Sequence, residues 1–228
     1  MSLQTIELHP DGQAVATIIV LHGLGADGTD FLPLADELDL SAIGPIRWLL
    51  PRAPVRPVTL NNGYRMRAWY DILGTELERA QGTPREDTAG LREAFAQTHV
   101  LLDRELARGV PAERIVLAGF SQGCAVALGA GLRYGHRLAG LAGLSGYLPL
   151  AATTTAERHA ANAGAPIFLG HGTRDAVVPY ARGAGSRDAL AALGYRPEWH
   201  EYPMEHSVSR DEIADLERWL LTVLRPPA

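Results

Sequence analysis

The sequence predicts an α/β protein with a mostly parallel central sheet and helices on both faces. Short apolar, β-branched or Leu-rich runs end at Gly or Pro, and segments of helical period follow them. Such alternation calls for crossover helices between parallel strands. The 228 residues contain no repeat, low-complexity tract or linker, so one domain over residues 1–228 is expected.

In chain order, Thr17–Leu21 is a β-branched run closed by His22-Gly23, and Thr29–Leu38 has helical period. Arg47–Leu50 is the next strand, closed by Pro51. Between Pro51 and Arg85 the alternation breaks. Pro51, Pro54 and Pro57 precede Val58–Leu60, Asn61-Asn62-Gly63 and Tyr64–Arg67, which predicts a hairpin within a lid-like excursion. Leu91, Phe95, Leu102 and Leu106 then share one face of a helix over Glu86–Arg108. Strands follow at Ile115–Ala118, Leu138–Leu144, Ile167–His171 and Trp199–Tyr202. The helices between and after them are Gln122–Tyr134, Tyr180–Leu193 (stopped by Gly194) and Ser209–Leu224. In the last, Ser209 and Glu212 have capping-box spacing.

Composition removes several kinds of chemistry. Hydrophobic residues at 46% and charged residues at 21% are those of a folded globular chain. The net charge of −5 argues against a phosphate-neutralising surface, so no nucleic-acid partner is expected. All 21 basic residues are Arg, which excludes a P-loop lysine, a Schiff-base lysine and a Ser–Lys dyad. Cys124 stands alone, so neither an internal disulfide nor a Cys-based metal site can form. The first ten residues lack the pattern of a signal peptide. The uncharged stretches Ile115–Leu132 and Leu138–Ala156 are too rich in Gly, Thr and polar residues to face lipid. A soluble cytoplasmic protein without stable membrane insertion is expected; a homodimer stays open.

The chemistry centres on Gly119-Phe120-Ser121-Gln122-Gly123, a G-x-S-x-G between an expected strand and an expected helix. Strand, sharp turn and helix are what a nucleophile elbow needs, with Gly on each side letting the chain hold Ser121 exposed. A Ser hydroxyl needs a base, and the base needs an acid to orient it. In this architecture the acid and base follow the Ser in that order, on loops after later strands. Asp175 lies just past Ile167–His171, and His206 just past Trp199–Tyr202. Asp188, Asp211 and Asp215 fall inside helices, and His171 precedes the acid; His171 and His22 suit loop support. The tetrahedral oxyanion needs donors, and the Gln122 backbone N–H is the first. The Leu24 N–H, in the glycine-rich loop after the first strand, is the second.

Two rival motifs overlap these residues. Gly23-Leu24-Gly25-Ala26-Asp27-Gly28 matches a dinucleotide fingerprint, but Arg47–Pro51 lacks the acid that would hold a ribose. An Arg there is compatible with a 2′-phosphate, so a nicotinamide-dependent enzyme stays as an alternative. His200 and His206 have the wrong spacing for a zinc helix, and Pro203 breaks any helix between them. No metal and no cofactor are expected.

Together the motifs resemble the phospholipase/carboxylesterase group of α/β-hydrolases, which includes bacterial carboxylesterases and acyl-protein thioesterases. The likeness rests on His22–Gly28 with Asp30-Phe31, Arg67–Ile72, Gly119–Gly123 and Leu144–Pro149. It continues through His171-Gly172, Asp175, Val177–Pro179, Met204 and His206. The resemblance implies a sheet of eight strands or slightly fewer. It implies Ser121 as nucleophile, His206 as base and Asp175 as acid, with Leu24 and Gln122 as oxyanion donors. Trp69, with Leu73 and Val178, would line the substrate pocket; Trp69 as a core residue pinning the excursion is the other reading. The chain departs from the group at Cys124 and Glu205, where Gly is common. Cys124 would be a small packed residue or a reagent-sensitive thiol, and Glu205 would put a carboxylate beside the base.

The expected activity is hydrolysis of short- to medium-chain carboxylic esters through an acyl-enzyme. Acyl-protein thioesterase or lysophospholipase activity on the same triad is the alternative, and a silent binding protein is a further one. A small-molecule ester or thioester is the expected partner.

Overall fold

Uncharged runs form the middle of the sheet because strands covered by helices on both faces need no polar side. A computed structural model describes residues 3–73 and 85–225. Its strands are β1 (Thr5–Leu8), β2 (Ala16–Leu21), β3 (Ile46–Pro51), β4 (Val55–Val58) and β5 (Tyr64–Arg67). After the first long helix come β6 (Ile115–Phe120), β7 (Gly140–Leu144), β8 (Ile167–Gly172) and β9 (Glu198–Tyr202). The helices are α1 (Leu32–Glu37), α2 (Thr88–Ala107), α3 (Gln122–Arg133), α4 (Ala151–Glu157), α5 (Tyr180–Ala192) and α6 (Arg210–Val223).

Seven strands make the main sheet in the order β1-β3-β2-β6-β7-β8-β9. All neighbours run parallel except β1, which lies antiparallel to β3 with Thr5 opposite Pro51. Side-chain alternation divides the core into two layers. Ile19, Leu21, Ile115 and Leu117 face the layer holding Leu91, Phe95 and Leu128 from α2 and α3. Ile18, Val20, Val116 and Ala118 face the opposite layer, with Leu34 of α1 and Leu216 and Trp219 of α6.

The six strands expected from the sequence all form, with ends shifted by one or two residues. β1 was not expected: its four residues are half-buried, and its place comes from pairing with β3. Helix α4 was missed as well, because its Ala- and Thr-rich sequence carries no apolar stripe. The helix expected over Thr29–Leu38 divides into a 3₁₀ turn at Gly28–Phe31 and then α1. Asp27 caps the first piece, and Pro33, with no N–H to give, sits in the first turn of the second.

The hairpin forms as a separate two-stranded sheet, β4 against β5. Its first strand is Val55–Val58 rather than Val58–Leu60, because Thr59–Asn61 is a 3₁₀ turn closed by left-handed Asn62 and Gly63. Ile72 bridges Glu86 beyond it, and residues 74–84 of the expected excursion lie outside the described residues. No helix among the described residues is long and apolar enough to cross a membrane.

Candidate active site

Ser121 stands between the end of β6 and the start of α3 with φ 56° and ψ −116°. A side chain held at positive φ is strained, and the surroundings must impose it. Here the Ser121 N–H donates to the Leu144 carbonyl at 2.8 Å, fixing the turn to β7. The flanking glycines provide room: a Cβ on Gly119 would stand 2.2 Å from the Gly123 carbonyl oxygen. The sequence therefore folds into an elbow with the hydroxyl on its outer side.

His206, in the loop after β9, lies with Nε2 2.9 Å from Ser121 Oγ and Nδ1 2.7 Å from Asp175 Oδ2. A carboxylate only accepts, so Nδ1 carries the proton and Nε2 is left to receive one from the hydroxyl. Asp175, in the loop after β8, is itself fixed by Val177 and Val178 N–H groups donating to Oδ1 at 2.9 and 2.8 Å. The two loops are sewn together by Thr173 N–H to Tyr202 O and Arg174 N–H to Met204 O. Ser121, Asp175 and His206 thus meet, although 85 residues separate the first from the last.

The remaining candidates fall into supporting places. His171 is buried, and its Nε2 proton goes to the Val178 carbonyl at 2.9 Å, holding the Asp175 loop. Ser145, the serine just past the end of β7 and no candidate for the chemistry, is fully buried with its hydroxyl on the Ser207 carbonyl at 3.3 Å. His22 accepts the Ala53 N–H at Nε2 (3.0 Å) and donates from Nδ1 to the Gly23 carbonyl (2.7 Å). Burial lowers its pKa below the usual histidine value, so the neutral ring is the form that ties the Gly23–Leu24 loop to the start of the excursion. The Leu24 and Gln122 N–H groups border Ser121, and among the described residues neither donates to a backbone carbonyl or a side chain. Free N–H groups beside a hydroxyl that attacks a carbonyl could receive the developing oxyanion.

Ser121 lines two cavities. The larger, about 440 Å³, is mainly apolar, with Phe31, Leu34, Val208 and Ile213 in its walls and the acidic Asp30 and Glu37 also lining it. The smaller, about 200 Å³, is bounded by Leu60, Tyr70, Ile72, Tyr147, Val178 and Arg182. Val178 therefore lies in a wall beside the Ser. Trp69 does not: it is 0% exposed, and its Nε1 donates to the His22 carbonyl at 2.8 Å. The pocket position expected of Trp69 is corrected to a core one, because its indole N–H finds its partner inside. Its neighbour Tyr70 faces the cavity instead. Leu73 is half-buried and lines neither of these two cavities.

The Gln122 side chain was not anticipated. Its Oε1 accepts the Trp69 N–H at 2.8 Å, and its Nε2 donates to the Tyr70 carbonyl at 2.8 Å. An amide carries a donor and an acceptor side by side, the same pair that a passing backbone offers, and that is the signal its position after the Ser carries. The larger cavity was missed too, since its walls come from α1 and α6, at opposite ends of the chain.

Both departures from the group are explained. Cys124 is buried under the elbow, and burial pushes its thiol up to about 12, so it is a packing residue out of reach of bulky reagents. Glu205 is exposed, and among the described residues its side chain forms no ion pair. The dinucleotide alternative loses its footing, because the Arg47 guanidinium is held by Glu105 at 2.9 Å. His200 pairs with Asp215 and Glu198 at 3.1 and 3.0 Å. No group of three metal-ligating side chains occurs among the described residues.

The Phospholipase/Carboxylesterase family model matches residues 5–224. Acyl-protein thioesterase 1 of Yarrowia lipolytica is 39% identical over 209 residues, covering 90% of this chain and 90% of that protein. Carboxylesterase SOBER1 of Arabidopsis thaliana is 35% identical over 204 residues, covering 89% and 88%. The crystal structure of Zea mays acyl-protein thioesterase 2 has a TM-score of 0.84 at 32% identity, covering 97% of this chain and 99% of that one.

Proposed function

We propose, for a chain that belongs to the phospholipase/carboxylesterase family of serine hydrolases, that Ser121, His206 and Asp175 hydrolyse carboxylic esters through an acyl-enzyme. The observation that carries this reading is the continuous relay from Ser121 Oγ through both His206 nitrogens to Asp175, at 2.9 and 2.7 Å.

Ser121 Oγ attacks the carbonyl carbon while its proton passes to His206 Nε2. Asp175 holds the imidazole in the tautomer that can accept that proton and steadies the imidazolium that forms. The carbonyl electron pair moves onto oxygen, where the Leu24 and Gln122 N–H groups receive it. The tetrahedral adduct collapses, the bond to the leaving alcohol breaks, and His206 returns the proton to that alcohol. Water then repeats the sequence on the acyl-enzyme, freeing the acid and restoring the Ser hydroxyl.

A mainly apolar cavity of about 440 Å³ beside the Ser suits a short to medium acyl chain. Thioesters are the second reading, favoured by relatives named acyl-protein thioesterase 1. The net charge of −5 supports a small-molecule substrate over nucleic acid, and a single buried thiol fits a reducing compartment.

The test is turnover of p-nitrophenyl esters of graded chain length, wild type beside Ser121→Ala. The variant should lose at least about 10⁴-fold in kcat, as Ser-triad enzymes do. Comparable turnover in both would overturn the assignment of the nucleophile.

A further inference from the structure

The smaller cavity holds a cation that ester hydrolysis does not itself require. Arg182, in the first turn of α5, lies over the Tyr147 ring with its guanidinium carbon 3.3 Å from the ring centroid. This stacking fixes the charge at one place in the wall. Tyr147 is in turn hydrogen-bonded to Tyr70, hydroxyl to hydroxyl, at 2.6 Å. Together with Gln122, these residues make one polar side of a cavity whose other walls are Leu60, Ile72 and Val178.

Among the described residues, the acids of the surrounding elements have other partners. Glu86 accepts the Leu150 N–H at 3.1 Å. Asp175 serves Val177, Val178 and His206. Glu201 takes the Tyr180 hydroxyl and the Trp199 indole N–H, and Asp188 pairs with Arg187 at 2.8 Å. Among the described residues no carboxylate forms an ion pair with Arg182. A guanidinium fixed over Tyr147, half-buried in a cavity that Ser121 also lines and without an ion-pair partner among the described residues, is a receptor for a carboxylate or phosphate.

We infer that the half of the substrate entering this smaller cavity carries an anionic group, a carboxylate or phosphate bound by Arg182. The inference rests on the hydrolase reading above and adds the substrate's charge to it. The larger cavity offers mainly apolar walls, so the two cavities that Ser121 lines would sort the two halves of the ester by polarity. A charge-assisted contact of this kind amounts to about tenfold or more in kcat/KM.

The experiment uses two matched pairs of substrates with wild type, Arg182→Met and Arg182→Lys. On the leaving-group side, 3-(acetylthio)propanoate is compared with 3-(acetylthio)propanamide by thiol release. On the acyl side, monoethyl adipate is compared with ethyl adipamate by proton release. The quantity read is the anionic-to-neutral ratio of kcat/KM. Wild type should favour the anion in one pair, which tells which half enters the cavity. Arg182→Met should lower that ratio by about tenfold or more, and Arg182→Lys should keep part of it. Turnover of the neutral members with no such ratio, or with a ratio indifferent to Arg182→Met, overturns this inference alone. Absence of turnover on all four by an enzyme that turns over p-nitrophenyl esters overturns this inference alone, and absence of turnover on both sets overturns the hydrolase reading with it.

Discussion

Gly123 packs against Leu21 so closely that a Cβ at position 123 would stand 2.0 Å from the Leu21 carbonyl oxygen. The first turn of α3 is thereby pressed onto the end of β2, and this contact sets the distance between the Gln122 N–H and the loop carrying Leu24. Gly123→Ala must push helix and strand apart, at a cost of about 1–3 kcal/mol, seen as a lower Tm and reduced ester turnover. Gly185→Ala is the counterpart, since a Cβ there meets nothing within 4 Å and the residue lies within α5. It should raise stability by up to about 1 kcal/mol. Equal Tm values for the two variants would refute the close approach.

Asp175→Asn separates geometry from proton handling. The Asn side-chain oxygen can still accept from Val177 and Val178, so the loop and the fold should survive with a nearly unchanged Tm. The amide nitrogen would face His206 Nδ1, so the ring must put its proton on Nε2, against Ser121. That tautomer cannot accept the hydroxyl proton. The expected loss in kcat is about 10⁴-fold at constant fold, measured by ester kinetics beside thermal unfolding. Wild-type kcat would remove Asp175 from the relay.

Glu212 provides a pH signature. Ser209 caps α6 by accepting the Glu212 N–H at 3.2 Å, but the reciprocal half of the capping box is absent. The Glu212 carboxyl turns inward instead, against Gly170 of β8, and both of its oxygens lack a partner. Burial raises it from 4.5 to about 8, with Asp215 adding to the rise and the Ser209 contact opposing it. Below about pH 4.5 the proton is bound in folded and unfolded chains alike. Between that point and about pH 8 the unfolded chain releases it and the folded chain keeps it, so this residue's contribution to stability falls as pH rises. Glu212→Gln abolishes that fall. The Tm of the variant minus that of wild type should increase from about pH 5 to about pH 9. A difference flat across this range would mean that the buried carboxyl does not retain its proton.

Much of the fold was legible because its causes are local. Thr17–Leu21 and Ile115–Ala118 announce buried parallel strands by their unbroken apolar character, and Gly119–Gly123 announces a sharp turn between strand and helix. β1 and α4 were not legible, since one depends on a partner strand and the other has no apolar stripe. The order Ser121, Asp175, His206 could be read because each follows a recognisable strand.

By itself the sequence determined the α/β class and the elbow, and it pointed to Ser121, Asp175 and His206 as three residues that the fold then brings together, since strand period and glycine sterics act within a few residues. Tertiary structure alone decided which way the side chains of the excursion and of the last helices face. Trp69 went inward because His22 offers its indole N–H a partner from 47 residues away. Glu212 left its cap for the core, and Arg182 came to rest over Tyr147, through packing between elements distant in the chain. Such contacts depend on how layers stack, and no short stretch of sequence encodes that stacking.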